Sequence, residues 1–278
     1  PLLGIDQSSH EHDRIVGPVA GVWMLLFTLP VLLFTPDGVS AGTPMLKAAR
    51  QGLADVVATL RRLRHFSNIA IYLLSRMLFI DGMVGVMTFG GVYASGTFGW
   101  GSTALLIFGL CTSASAMLGA WVGGVLDDRL GSLRALRIAI GMSSLVLIML
   151  VSIQPGAILF VIPVATDPVW SFPYFQTTAE LVYFCTNQVF AMFFVTGLSS
   201  SRTLMARISP PEMATQFFGL FALSGTVTAF LAPMMVATTT TWFQSQRAGF
   251  ASLVILMVLG FLLLGKVTQE QASAGPRP

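Results

Sequence analysis

The run NIAIYLLSRMLFIDGMVGVMTFGGVYAS, residues Asn68–Ser95, decides the fold class. It is longer than the roughly 20 apolar residues that a helix needs to cross ~30 Å of hydrocarbon. It contains two charged residues, Arg76 and Asp81. Across the 278 residues, 54% are hydrophobic and 10% are charged, whereas a soluble domain has about 25% charged residues. Lipid is therefore the expected surroundings of most of this chain.

Six further apolar runs lie on either side of this one. They are Ile15–Phe34, Ser102–Leu126, Ala135–Ile153, Leu181–Leu204, Ala214–Thr238 and Ala248–Lys266. The sequence therefore predicts an all-α membrane protein with about seven transmembrane helices. In the third run along the chain, small residues recur every four positions and predict a face for close helix packing: Ser115, Gly119 and Gly123. The short run 156–165 contains Pro163 and is expected to extend the preceding helix or to lie at the membrane interface.

Basic residues predict the orientation of the spans, because Lys and Arg are enriched on the cytoplasmic side. Twelve of the 15 lie on one side of the predicted spans, Arg14 and Arg247 lie on the other, and Arg76 falls inside a span. We expect the basic side and the C-terminus to be cytoplasmic. The pI of about 9.2 follows from these orientation charges and does not indicate nucleic-acid binding.

The sharpest motif is GVLDDRLGSLR, residues 124–134, in a short loop on the basic side. It resembles the loop signature of the major facilitator superfamily, G-x-L-x-D-R-x-G-R-[RK], although Ser132 stands where a basic residue is usual. We predict a gate that a charge cluster holds closed, formed by Gly124, Asp128, Arg129, Gly131 and Arg134. Gly124 is expected to permit close approach of a helix, and Gly131 a tight turn. The alternative is an ordinary charged loop.

Further stretches narrow the resemblance. They are Tyr72–Gly99, Ser199–Glu212, Phe217–Pro233 and Gln246–Gly249. They are similar to the vacuolar amino-acid effluxers linked to autophagy and to their bacterial relatives, and the similarity covers residues 14–268. The resemblance implies the C-terminal six-helix half of a major facilitator fold, together with the helix that precedes it.

On this resemblance the chain divides into four segments. Residues 1–42 end the N-terminal half with the helix 15–34, and residues 67–268 form the six-helix bundle. Residues 43–66 are predicted to form an amphipathic helix along the cytoplasmic membrane surface, with an ordinary packed linker helix as the alternative. Residues 269–278 are a cytoplasmic tail. Since the first residue is Pro1, we expect the first five helices of the N-terminal half to be missing from this sequence.

Ionisable groups inside a span are costly, so Arg76 and Asp81 are candidate functional residues. Because they are five residues apart, they point about 140° apart around a helix, and each is expected to pair with another helix or with water. We predict that Arg76 binds a substrate carboxylate. Asp81 is predicted to carry a coupling proton, because apolar surroundings favour the uncharged carboxyl group. The alternative is a structural lock made of buried ion pairs.

Other polar residues complete the candidate site. They are Tyr72, Asn187, Gln188, Ser201 and Arg202. Tyr72 shares a helix face with Arg76. The two amides are expected near the depth of Asp81, Ser201 near the depth of Arg76, and Arg202 at the inner edge of the span. Helix packing by small residues is the alternative for the serine, and anchoring at the membrane surface is the alternative for Arg202.

The sequence thus predicts a secondary active transporter, a permease that moves small polar solutes by alternating access. The resemblance implies amino acids as cargo and efflux as the direction. The expected partners are the lipid bilayer, a small-molecule substrate with a coupling proton, and the missing N-terminal half in cis. We expect a multi-pass protein of the bacterial plasma (inner) membrane, or alternatively of a vacuolar membrane. The alternative function is a non-transporting membrane scaffold or receptor-like half-transporter.

Neither an enzyme nor a cofactor, metal or nucleic-acid partner is predicted. The stretch GLSSS, Gly197–Ser201, would suit an intramembrane serine protease. However, a serine nucleophile needs a base within hydrogen-bond reach. All three histidines lie outside the predicted spans: His10, His12 and His65.

Overall fold

The computed structural model describes residues 16–35 and 63–268, together with isolated positions between 44 and 60. This part of the chain contains eight α-helices: α1 Val16–Phe34, α2 Ser67–Phe98, α3 Ser102–Leu130, α4 Ser132–Ser152, α5 Thr178–Ile208, α6 Ala214–Ser224, α7 Leu231–Phe243 and α8 Gln246–Leu264. Short 3-10 helices, Leu63–His65 and Pro211–Met213, precede α2 and α6. The chain forms two compact units, Pro1–Leu53 and Ala54–Pro278, so that α1 belongs to the first unit and the other helices to the second.

Six of the described helices are long and apolar enough to cross a membrane. They are α1, α2, α3, α4, α5 and α8. The longest, α2 and α5, have 32 and 31 residues, and α1 is apolar apart from Thr28 and contains Pro30. The prediction of an all-α membrane protein is therefore confirmed.

The sixth of the seven predicted spans, Ala214–Thr238, is wrong as a continuous helix. It contains α6 and part of α7, and residues 225–230 between them form turns. In this segment the backbone N–H groups of Gly225, Thr226 and Ala229 donate to the carbonyl three residues earlier instead of four. We call residues 225–230 the break.

Two residues account for the position of the break. A glycine inside a helix costs about 1 kcal/mol relative to alanine, and Gly225 directly follows the last residue of α6. Pro233 has no N–H to offer to the Ala229 carbonyl four residues earlier, so proline is tolerated only in the first turn of a helix. The proline therefore limits how early α7 can begin.

Small residues bring the helices of the second unit close together. The Ser75 hydroxyl of α2 donates to the Gly260 carbonyl of α8 at 2.7 Å, and a Cβ added to Gly260 would lie 2.7 Å from the Phe79 backbone nitrogen. On α3, a Cβ added to Gly123 would lie 3.1 Å from the Cα of Thr196 in α5. The predicted packing face of small residues on α3 is thereby confirmed.

The loop between α4 and α5 contains a short antiparallel hairpin. Its strands are β1, Ala157–Ile158, and β2, Ile162–Pro163, with Ile158 opposite Ile162. The expectation that residues 156–165 extend the preceding helix is therefore wrong, since α4 ends at Ser152. The predicted linker helix, residues 43–66, lies mostly outside the described residues, and the predicted tail, residues 269–278, lies wholly outside them.

The contact between α3 and α5 can be tested with two glycines of the same helix. A Cβ on Gly119 would lie 2.6 Å from the Cα of Met192, whereas a Cβ on Gly109 meets nothing within 4 Å. We expect Gly119→Ala to cost about 1–3 kcal/mol through overpacking. Gly109→Ala should be neutral or stabilising, because alanine favours the helix. The thermal unfolding midpoint in detergent measures both, and equal midpoints for the two variants would contradict the close contact.

Candidate functional site

Arg76 of α2 binds the end of α6. Its Nη1 atom donates to the Phe221 carbonyl and to the Ser224 hydroxyl, each at 2.7 Å. The guanidinium carbon lies 3.6 Å from the centroid of the Phe221 ring, which adds a cation–π contact. Arg76 is only 8% exposed. Arg76 therefore pairs with another helix, as expected from its position about 140° around α2 from Asp81.

The bond from Arg76 satisfies a carbonyl that the break leaves without its helical partner. In a continuing helix the Phe221 carbonyl would accept from the Gly225 N–H, but that N–H donates to the Ala222 carbonyl. The Ser224 hydroxyl also donates to the Phe221 carbonyl, at 2.8 Å. A cation at a helix C-terminus is favourable by about 0.3–1 kcal/mol at the surface and by up to ~2 kcal/mol where it is partly buried. Arg76 is therefore a C-terminal cap of α6.

Asp81 of α2 lies beside the start of α7. It is 3% exposed and lines a cavity of about 120 Å³ together with Gly225, Ala229 and Pro233. The side chain of Thr228 approaches it from the break. Both Asp81 Oδ2 and Thr228 Oγ1 are buried, and neither makes a hydrogen bond of standard length and angle in the described part of the chain.

The two charges match the two helix ends that they face. The C-terminus of a helix carries a partial negative charge and its N-terminus a partial positive charge. Arg76 lies at the C-terminus of α6, and Asp81 shares its cavity with Ala232 and Pro233 in the first turn of α7. Among the described residues, neither charge forms an ion pair, so the structural lock of buried ion pairs is not found.

Three more predicted residues meet near Arg76. The Tyr72 hydroxyl lies 2.6 Å from the Ser201 carbonyl and 2.7 Å from the Ser201 hydroxyl, and both side chains are buried. Arg202, the next residue on α5, is exposed, and its positive charge acts on Arg76. The structure therefore brings Tyr72, Arg76, Ser201 and Arg202 together, at the contact of α2 and α5.

The predicted amides bind α3 instead of facing Asp81. Asn187 donates to the Thr112 hydroxyl at 3.1 Å, and Gln188 accepts from the Ser115 hydroxyl at 3.0 Å. Asn187 lines a second cavity, of about 390 Å³, with residues of α2 and α3. Thr88 lies on the wall of this cavity and on the wall of the Asp81 cavity.

The loop motif lies at the ends of α3 and α4. Asp128, Arg129 and Arg134 are exposed. Gly131 has a φ of +83° between the two helices, so it supplies the predicted turn. A Cβ on Gly124 would meet nothing within 4 Å, so the described residues give no close helix approach there.

Asp127 is a site residue that the sequence did not indicate. It is 6% exposed, and its Oδ1 atom accepts from the Ser200 hydroxyl of α5 at 2.6 Å. Consecutive residues lie about 100° apart around a helix, so of two adjacent acids one can face a neighbouring helix while the other faces outward. The superfamily signature draws attention to Asp128, the exposed one.

Ser224 and Thr228 were also missed, although the sequence contained a signal for them. Gly225 and Pro233 interrupt an apolar run and are only eight residues apart. A Gly/Pro-interrupted hydrophobic segment is a sequence indication of a binding site in transporters. Polar residues next to such a glycine, like Ser224, or between it and the proline, like Thr228, therefore merit attention.

The fold and the site together define a class: a multi-pass helical membrane protein in which a broken helix faces two buried charges. This arrangement is typical of secondary transporters.

The chain belongs to the family described as "Vacuole effluxer Atg22 like", whose model matches residues 4–275. Autophagy-related protein 22 of Cryptococcus neoformans (strain JEC21) is 23% identical over 98% of this chain and 47% of its own length. An uncharacterized MFS-type transporter of Bacillus subtilis, YxiO, is 26% identical over 77% of this chain and 44% of its own. The chain spans about half the length of the relatives it matches.

The two adjacent acids of α3 provide a matched test of this geometry. Ser200→Ala removes the hydroxyl that donates to the buried Asp127, and we expect a loss of about 1–3 kcal/mol because the carboxylate is left without that donor. Asp128→Asn changes an exposed residue and should shift stability by no more than ~0.5 kcal/mol. Thermal unfolding midpoints in detergent compare them. A larger loss for Asp128→Asn than for Ser200→Ala would contradict the placement of Asp127.

Proposed function

We propose that this chain belongs to a secondary active transporter, which moves small polar solutes across a membrane by alternating access. The observation that carries the proposal is the break between α6 and α7, with Arg76 at one helix end and Asp81 beside the other. Charges are expensive in the hydrocarbon region and usually mark substrate or ion paths. Family membership and the similarity to an MFS-type transporter support the same function.

Amino acids are the proposed cargo and efflux is the proposed direction. The description of the family as vacuole effluxers supports efflux. The chemistry of the site suits a small solute with a carboxylate, because Arg76 and the nearby Arg202 place two positive charges at the contact of α2 and α5. The Arg76 Nε atom is buried with no partner among the described residues, which leaves a donor for such a carboxylate.

Asp81 is the proposed ion-coupling residue. Its carboxylate lies in a cavity and takes part in no ion pair within the described residues. A proton on this group would change the charge that faces the break, so loading and release of the ion can alter the relative stability of two conformations. We further propose that the loop motif, Gly124 to Arg134, acts as the cytoplasmic gate.

A second membrane bundle is proposed to complete the transport path. In transporters built from repeats the binding site lies at the interface of the two halves, and the relatives matched here are about twice as long as this chain. We propose that this bundle is supplied in cis as the N-terminal half of a major facilitator fold. A plasma membrane is the proposed location in a bacterium, and a vacuolar membrane the alternative.

The coupling role can be tested by replacing Asp81 with a neutral isostere. We expect Asp81→Asn in the full-length protein to abolish transport of labelled amino acids driven by a pH gradient in vesicles, because the group that binds the proton is gone. Asp167→Asn is the matched control, since Asp167 is exposed in the loop between α4 and α5.

Counterflow, the exchange of labelled for unlabelled solute without a gradient, separates coupling from binding. We expect counterflow to persist in Asp81→Asn if the variant folds. Gradient-driven transport at the wild-type rate in this variant would contradict the coupling role. Failure of the wild-type protein to transport or exchange amino acids would instead favour a non-transporting scaffold.

A further inference from the structure

A buried carboxylate oxygen on the wall of the Asp81 cavity and a buried hydroxyl beside it are left without a hydrogen bond of standard geometry. Asp81 is the buried acid on its wall, the Thr228 side chain lies close to it, and neither Asp81 Oδ2 nor Thr228 Oγ1 makes a hydrogen bond of standard length and angle among the described residues. Pro233 and Ala229 also line the cavity, and Pro233 has no N–H to donate to the Ala229 carbonyl. Buried polar atoms normally have hydrogen-bond partners, so the buried oxygens of Asp81 and Thr228 indicate that a bound ion or molecule contacts them.

The chemistry of this wall favours a small, hard cation. Every polar side-chain atom that lines the cavity is an oxygen, from Asp81 or Thr88. Carboxylate, hydroxyl and carbonyl oxygens are the ligands that hard cations prefer. The unwound segments of broken helices supply such carbonyls in other transporters.

Charge and size narrow the choice of ion. The wall carries one carboxylate, which balances a single positive charge, whereas Ca²⁺ takes about six to eight oxygen ligands and Mg²⁺ demands near-ideal octahedral geometry. A volume of about 120 Å³ exceeds that of one water, which occupies about 30 Å³ in the liquid, so an ion and a few waters fit. Arg76 does not neutralise Asp81, because its bonds go to the end of α6.

We propose that Asp81, Thr228 and the Ala229 carbonyl bind a sodium ion at the break between α6 and α7. The ion joins the end of the broken span to α2, and it occupies the place that the coupling proton takes on Asp81. This inference rests on the proposed function for the role of Asp81, but the binding of sodium can be measured without any transport.

Binding of radioactive sodium-22 to the purified full-length protein in detergent, in potassium buffer, tests the site. We expect saturable binding that unlabelled sodium displaces and that a tenfold excess of potassium displaces poorly. Asp81→Asn should weaken sodium binding at least tenfold. Thr228→Val, which removes only the hydroxyl, should weaken it about three- to tenfold, while Thr228→Ser should restore it.

Asp167→Asn is the control acid and should bind sodium as the wild type does. Thermal unfolding of each variant shows whether it folds. If Asp81→Asn fails to fold, the comparison of Thr228→Val with Thr228→Ser still tests the site. If the cavity holds only water, no saturable sodium binding is expected, and that result would overturn the proposal. Equal sodium affinity in Thr228→Val and Thr228→Ser would also overturn it.

The same preparations separate this inference from the proposed function. Proton-driven amino-acid transport without sodium binding would overturn the sodium site and leave the transporter standing. Sodium binding without any transport or exchange of amino acids would overturn the proposed transport function and leave the sodium site standing.

Discussion

The bond between the Arg76 guanidinium and the Phe221 carbonyl links the two features that are hardest to accommodate in a membrane. A helix that ends inside the hydrocarbon region leaves carbonyls without donors, and each such group costs several kcal/mol. A buried arginine, for its part, needs acceptors or a counter-charge. Here each supplies what the other lacks. The break in the span and the charge on α2 are therefore tolerated together, and loss of Arg76 would leave the Phe221 carbonyl with the Ser224 hydroxyl as its one donor among the described residues.

The rest of the bundle holds α2 in the position that this bond needs. Hydrogen bonds tie α2 to α5 at Tyr72 and again where Tyr183 donates to the Gly90 carbonyl, and Ser75 ties it to α8. The interrupted span is less enclosed: within the second unit Ala232 is the one buried residue of α7, whereas α8 buries eight. Segments with few buried apolar contacts open at the lowest cost. The structure thus combines a firmly held charged helix with a broken helix beside it that can be displaced more easily.

The membrane class, six of the spans and the two charges of α2 are predictable from the sequence, because they depend on composition and on length. The break is not, since an apolar run gives the same hydropathy whether or not its backbone is continuous. Gly225 and Pro233 contained the necessary information, but only the hydrogen bonds of the backbone show where the helix stops. Which of the two adjacent acids, Asp127 or Asp128, faces α5 could not be predicted from the sequence for a different reason. It depends on the rotation of α3 against α5, which Gly119, Gly123 and Thr196 determine through close packing.

Hydrogen–deuterium exchange of the full-length protein in lipid nanodiscs tests the break most directly. If the span is interrupted beside a cavity, amides of residues 225–231 should exchange on the order of 100-fold faster than those of α8, since their turns are shorter and less enclosed. The removal of Arg76, as in Arg76→Gln, should extend the fast exchange into the last turn of α6. Protection of residues 225–231 equal to that of α8 would mean a continuous helix, and it would contradict the account.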